Sequence, residues 1–196
     1  MRGAHLSEEI EAKVRIAESE AFRARMNARG APTAETVLEV NRLFDDAEGT
    51  LRQGGSALRI REERRPADGA VLRTLLTFKG PRRQSRMKRR PEFQTTVGAA
   101  EPMIAILSGL GLAEVFYYEK RRTAWHVADC EVVLDELPHL GWFVEVEGPS
   151  EESVLARLAD LGLAGEPIIR EAYIDLLSQH AARLGGRPAT HFGFEA

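Results

Sequence analysis

Charged and apolar residues alternate strictly along Glu9-Ile10-Glu11-Ala12-Lys13-Val14. A period of two predicts a β-strand with one buried face. Glu18 to Arg29 is rich in Ala, Glu and Arg and predicts a helix closed by Gly30, with Pro32 beyond it. Thr36 to Phe44 is β-prone, and Asp45 to Gly55 reads as a polar turn region. Ala57 to Glu63 alternates again, and Pro66-Ala67-Asp68-Gly69 is a hairpin-type turn leading to a strand over Val71 to Lys79, which Gly80-Pro81 stops. Arg82 to Arg90 is a basic loop, and Glu92 to Val97 a short strand. Glu101 to Leu110 predicts an apolar helix with Pro102 in its first turn. Strand-like runs follow at Val115 to His126, Glu131 to Leu134 and Trp142 to Glu147. Ser150 can cap a helix over Ser150 to Leu161, with Glu151 and Glu152 suited to its first turn. Tyr173 to Leu184 predicts a last helix.

Strands follow strands without a βαβ rhythm or an internal repeat, which predicts an antiparallel sheet or barrel in an α+β domain. The chain has 196 residues, which suits a single domain over residues 1–184 and a loosely held tail over 185–196. Composition changes the picture only by exclusion. With 43% hydrophobic and 29% charged residues, the chain predicts a globular fold, and a net charge of -3 implies no general adhesion to nucleic acid or membrane. A single cysteine, Cys130, rules out a disulfide framework within the chain and a Cys-based zinc site. No apolar stretch approaches the roughly 20 residues needed to span a bilayer, and the polar N-terminus is no secretory signal, so a cytoplasmic protein is expected.

The informative feature is the sorting of charge onto strand faces. Glu9, Glu11 and Lys13 share a face, as do Arg59 and Arg61, Lys120 and Arg122, and Glu145 and Glu147. Two readings fit each strand. The charges are either the solvated outer face of a sheet, which is the rule, or the lining of a polar barrel lumen, which eight strands can shape around one small ligand.

A set of short motifs in a fixed order favours the lumen. Glu9-Ile10-Glu11-Ala12-Lys13 resembles the E-x-E-x-K signature of the CYTH superfamily, the triphosphate tunnel metalloenzymes. Leu58-Arg59-Ile60-Arg61 is similar to its L-R-x-R strand, Lys79-Gly80-Pro81 to its K-G-P turn, Arg90-Pro91-Glu92 to its R-x-E strand and Lys120-Arg121-Arg122 to its K-x-R strand. Leu134-Asp135-Glu136 and Leu140 to Glu147 resemble its L-D-x and L-G-x-F-x-E-x-E segment. One departure stands out: Gln94 replaces the second carboxylate with which the family often continues R-x-E.

The resemblance implies a closed or nearly closed eight-stranded antiparallel β-barrel, a triphosphate tunnel with flanking helices. It implies that Arg59, Arg61, Lys79, Arg90, Lys120 and Arg122 bind the phosphate chain, since arginine and lysine offer charge-assisted hydrogen bonds to phosphate. Lys13, Glu11 and Arg122 are the expected catalytic residues. Glu9, Glu11, Asp135, Glu145 and Glu147 are the expected ligands of Mg²⁺ or Mn²⁺, because carboxylates beside a polyanion make sense only with divalent cations between them. The layout looks closest to the class IV adenylyl cyclase branch, which converts ATP to cyclic AMP and pyrophosphate. An inorganic or thiamine triphosphatase is the alternative, and a non-catalytic nucleotide- or polyphosphate-binding module is a third reading. A purely structural domain would show exposed charged faces and no tunnel. The expected partner is a nucleoside triphosphate or another small triphosphate, with no membrane, no nucleic acid, and room for a homodimer.

Other residues are read more plainly. The basic loop is a solvated loop or a lid, and it lacks the interleaved aromatics of a single-stranded nucleic-acid site. The five histidines lack metal-ligand spacing, Cys130 acts as a small hydrophobe, and Tyr117, Tyr118 and Trp125 pack the barrel wall.

Overall fold

The computed structural model describes residues 5–30, 35–81, 88–184 and 189–194, with residues 5–9 and 88–89 described by backbone alone. In chain order the elements are β1 (His5–Ile16), α1 (Ser19–Ala28), β2 (Val37–Asp45), α2 (Thr50–Gln53), β3 (Ala57–Arg64), β4 (Val71–Lys79), β5 (Lys88–Val97), α3 (Ala100–Gly109), β6 (Ala113–Val127), β7 (Cys130–Leu137), β8 (Gly141–Glu147), α4 (Glu151–Asp160), α5 (Tyr173–Arg183) and β9 (His191–Phe192).

The main strands form an antiparallel ring, β2-β3-β4-β5-β1-β8-β7-β6, which β2–β6 pairing closes. Two strands hand over between neighbours. β1 pairs with β5 over His5–Glu11 and with β8 over Glu11–Ile16, sharing only Glu11. β6 pairs with β2 up to Arg122 and with β7 from Arg121 onward. The resulting stagger tilts the strands, as closure of a barrel requires. This bears out the α+β class and the antiparallel barrel with flanking helices.

Alternation divides each strand between two environments. The outward residues Ile10, Ala12, Val14, Trp125, Val132, Leu134, Val144 and Val146 pack with Phe22 and Met26 of α1 and Val154 and Leu158 of α4 in one apolar layer. Phe22 meets Trp125 edge-on with ring centroids 6.0 Å apart. Burying a side chain of this size contributes about 1.5–3 kcal/mol. Ile60 and Leu107 of α3 anchor a second layer over β3. α5 behaves differently: its Tyr173, Leu177 and Ala181 pack on Tyr118 and Phe143, whose strand parity points them inward. The helix therefore fills part of the barrel interior and bounds the lumen.

Local chemistry explains the boundaries. The Ser153 N–H donates to Ser150 Oγ at 3.1 Å and caps α4. Gly80 lies so close to β5 that a Cβ there would stand 2.7 Å from Pro91 Cγ, so only glycine fits between Lys79 and the returning strand.

Three expectations change. The turn region after β2 contains the one-turn helix α2, whose Leu51 and Arg52 N–H groups donate to the Asp45 carboxylate. Lys88–Arg90 belong to β5 rather than to a loop, while residues 82–87 lie outside the described residues. The tail is not loose over residues 189–194: β9 pairs parallel to β6 at Tyr117 and Tyr118, Phe192 is buried, and Tyr117 and His191 stack with centroids 3.9 Å apart. Among the described residues, no helix is long and apolar enough to cross a membrane.

Candidate active site

The inward faces enclose a cavity of about 960 Å³. Glu11, Lys13, Arg59, Arg61, Lys79, Arg90, Lys120, Arg122, Glu145 and Glu147 all line it. The strand alternation that left two readings open thus points these charges into the lumen. Glu9 pairs with Arg90 through the backbone, and its side chain lies outside the described residues. Asp135 does not line the cavity. It is 0% exposed, covered on the lumen-facing side of β7 by Lys120, Arg122 and Tyr173.

Taking an ion out of water costs several kcal/mol, so each buried charge needs a partner. Asp135 Oδ1 accepts from Arg122 Nε at 2.7 Å, and Oδ2 accepts from Arg122 Nη2 at 2.6 Å, Lys120 Nζ at 3.0 Å and the Tyr173 hydroxyl at 2.9 Å. Arg122 Nη2 also reaches Glu145 Oε2 at 2.6 Å. Lys13 Nζ lies 3.3 Å from Glu145 Oε1, donates to the Glu171 carbonyl at 2.9 Å and rests 3.9 Å from the centroid of the Tyr173 ring. Lys79 pairs with Glu92 at 2.6 Å.

Several lumen residues were not singled out from the sequence. Glu39 is paired with Arg61 at 3.1 Å and Lys120 at 3.3 Å. Arg73 grips Glu63 through two bonds of 2.6 and 2.7 Å. Tyr173 lines the lumen as well, as does Glu92, which the R-x-E resemblance included without a role. The one signal for Glu39 was its alternation with Val40 inside a β-prone run. Nothing in the sequence pointed Tyr173, at a helix start, toward the lumen.

The electrostatics follow from these contacts. Burial raises the Glu39 pKa, yet Arg61, Lys120 and Arg122 outweigh it and hold the carboxyl well below the ordinary range. Burial and the neighbouring Glu11 raise Glu145, but Lys13, Arg122 and Lys120 bring it to about 2. Burial lowers Arg61, as does Arg59 beside it. Burial also works against Arg122, but Asp135 and Glu39 hold its pKa well above the ordinary value. Burial and Asp135 push the Tyr173 hydroxyl well up, so it remains a donor. Among the described residues, Arg59 Nε is buried without a hydrogen-bond partner.

The carboxylates fit a hard divalent cation. Glu11 lies directly opposite Glu147 in the β1–β8 pair, and Glu145 shares the lumen two residues along. Like charges placed opposite one another are destabilising unless something positive stands between them. Oxygen donors of this kind suit Mg²⁺ or Mn²⁺, which keep several water or phosphate ligands. Among the described residues, no three acids, histidines or cysteines form a ready-made ligand group. A cation here would therefore draw on substrate and water oxygens as well.

The closed barrel thus encloses a polar lumen that brings cations and carboxylates together. The chain belongs to the CYTH-domain family, whose model matches residues 7–161. A protein of Methanocaldococcus jannaschii carrying the name "Putative adenylate cyclase" is 27% identical over 177 residues, covering 86% of this chain and 97% of the relative. The PH1819 protein of Pyrococcus horikoshii OT3 has the same fold, with a TM-score of 0.74, 23% identity, and coverage of 88% of this chain and 99% of that one. So has "Putative adenylyl cyclase HpAC1" from Hippeastrum, described as having a dominant triphosphatase activity, with a TM-score of 0.64, 22% identity, and coverage of 90% and 96%.

Proposed function

We propose that the protein is a divalent-metal-dependent enzyme that binds a triphosphate in the barrel lumen and hydrolyses its terminal phosphoanhydride bond. The observation that carries this is the convergence of Arg59, Arg61, Lys79, Arg90, Lys120 and Arg122 on one cavity that also presents Glu11, Glu145 and Glu147. A triphosphate carries about four negative charges, and charge-assisted bonds from arginine and lysine match its oxygens. Arg59 lines the same cavity, and among the described residues its Nε has no hydrogen-bond partner. Arg122, held on two sides by Asp135 and Glu145, needs little reorganisation to meet charge that develops during transfer. Lys13 is fixed by Glu145, Glu171 and Tyr173 and sets a point charge beside the carboxylates. Glu11, Glu145 and Glu147 are the groups that would hold Mg²⁺ or Mn²⁺. The bound cation would neutralise phosphate oxygens and lower the pKa of the attacking water.

Hydrolysis is favoured over cyclisation by the lining. The lumen tyrosines Tyr118 and Tyr173 are buried, and the ring of Tyr173 is covered by Lys13 and Lys120. Among the described lining residues, neither presents a free aromatic face to a purine. The activity described for the Hippeastrum protein points the same way. A class IV adenylyl cyclase-like reaction on ATP is the second reading. It is favoured by the cavity volume of about 960 Å³, at the upper end of pockets for drug-sized ligands. It is favoured too by the name of the Methanocaldococcus relative.

Product analysis with Mg²⁺ or Mn²⁺ tests both readings. Hydrolysis yields phosphate and diphosphate from tripolyphosphate, and ADP and phosphate from ATP. Cyclic AMP with pyrophosphate would establish the second reading. No turnover of tripolyphosphate, ATP or thiamine triphosphate with either metal would remove the enzyme reading.

A further inference from the structure

We propose that Asp135 and Tyr173 are a positioning pair, with a buried carboxylate that fixes Lys120 and Arg122 as anion ligands and does not itself bind metal. The inference rests on the tunnel reading above but reassigns Asp135, which the sequence resemblance placed among the metal ligands.

Three observations carry it. Asp135 is fully buried and absent from the cavity lining, unlike Glu11, Glu145 and Glu147. Both its oxygens are already engaged: Oδ1 by Arg122 Nε, and Oδ2 by Arg122 Nη2, Lys120 Nζ and the Tyr173 hydroxyl. Oδ2, accepting three donors within 3.0 Å, has no lone pair to offer a cation, and Oδ1 keeps only one, on a carboxylate that is 0% exposed. The fourth donor comes from a helix rather than from a strand of the barrel, because Tyr173 opens α5, which packs into the interior. The same ring lies under Lys13 Nζ at 3.9 Å and Lys120 Nζ at 5.2 Å. One side chain of α5 therefore touches two of the lumen lysines and the carboxylate that orients the third cation. Preorganised donors of this kind lower the reorganisation needed as charge develops.

The test uses the full-length protein carrying Asp135→Asn, with Glu145→Gln as comparison and Tyr173→Phe as a variant that keeps ring and charge. Mn²⁺ binding without substrate is measured by electron paramagnetic resonance of the free ion. Asp135→Asn is expected to bind Mn²⁺ within about twofold of wild type, whereas Glu145→Gln loses about tenfold or more. By NMR, the Arg122 Nε–H, held by Asp135 in wild type, exchanges at least about tenfold faster in Asp135→Asn. Tyr173→Phe keeps Mn²⁺ affinity and lowers kcat/KM about tenfold, the loss expected when a hydrogen bond to a charged group is removed.

A loss of Mn²⁺ affinity in Asp135→Asn as large as that in Glu145→Gln overturns the proposal, and so does unchanged Arg122 exchange. Should Asp135→Asn fail to fold, Tyr173→Phe decides. Wild-type kcat/KM together with wild-type Arg122 exchange in that variant overturns the pair. The Mn²⁺ and exchange measurements need no turnover. A protein that hydrolyses no triphosphate would refute the proposed function and leave these two results to judge the pair.

Discussion

Arg122 Nη2 and Glu145 Oε2 stand 2.6 Å apart although their strands are not neighbours, since β7 runs between β6 and β8. The contact exists only because both side chains point into the same curved lumen. It joins the cationic side of the site to the carboxylates proposed for the metal.

Arg122 should therefore tolerate no shorter or differently shaped cation. Arg122→Ala is expected to lower kcat/KM about 10²-fold or more, the scale seen when one preorganised donor to developing charge is lost. Arg122→Lys should recover only part, because an ammonium cannot span Asp135 and Glu145 as the guanidinium fork does. Steady-state kinetics with tripolyphosphate measure both, and wild-type rates in the alanine variant would remove Arg122 from the site.

Arg59 should behave in the opposite way toward stability. Among the described residues its Nε has no hydrogen-bond partner, and its charge presses on Arg61. Arg59→Met is expected to leave the melting temperature unchanged or raised while weakening tripolyphosphate binding about tenfold or more, the usual conflict between a functional charge and the fold. Calorimetric titration and a thermal melt on one sample check both. A clear drop in melting temperature would show that Arg59 supports the fold.

Glu39 holds three cations, so its removal should cost stability. Glu39→Gln leaves Arg61, Lys120 and Arg122 short of a counter-charge, a loss of about 3–5 kcal/mol for a broken buried pair. At about 2–4 °C per kcal/mol for a chain of this size, the melting temperature should fall by more than about 6 °C.

The same carboxylate sets a pH dependence. Its folded pKa lies below the ordinary value of 4.5, so the unfolded chain binds more protons beneath that pH. The stability it contributes is fully present above about pH 4.5 and declines as the medium is acidified through the folded pKa. Denaturant melts from pH 6 to pH 3 should show this decline in the wild type and a shallower one in Glu39→Gln. Parallel slopes would mean that other carboxylates govern acid unfolding.

Tripolyphosphate should stabilise the fold by mass action. At about 100 times its dissociation constant, a ligand bound only by the native state adds about 2.7 kcal/mol. The melting temperature should rise by roughly 5–10 °C with Mn²⁺ present. Glu11→Gln and Glu147→Gln should reduce the metal-dependent part of the shift while keeping the fold. An equal shift with and without Mn²⁺ would detach those carboxylates from any metal.

Most strands were legible because a half-buried strand writes its pleat into the chain, as Leu58-Arg59-Ile60-Arg61 and Val144-Glu145-Val146-Glu147 do. The period says that Arg59 and Arg61 share a face. It cannot say whether that face meets water or a lumen, since both solutions show the same alternation. The motif order suggested the lumen, and closure of β2 on β6 placed ten of the expected residues there.

The partners of those residues were beyond reach. Asp135 sits on the lumen-facing side of β7 by parity, in step with Glu131 and Val133, yet neighbouring side chains cover it completely. Glu39 lay in a β-prone run with no motif to mark it, and Tyr173 at the start of a distant helix. The chain by itself determined which side chains share a face, because that depends on the two-residue pleat. Only the tertiary structure decided which faces meet and which carboxylate lies at the surface of the lumen or behind it, because those relations depend on strand tilt, ring closure and the docking of α5 between residues far apart in sequence.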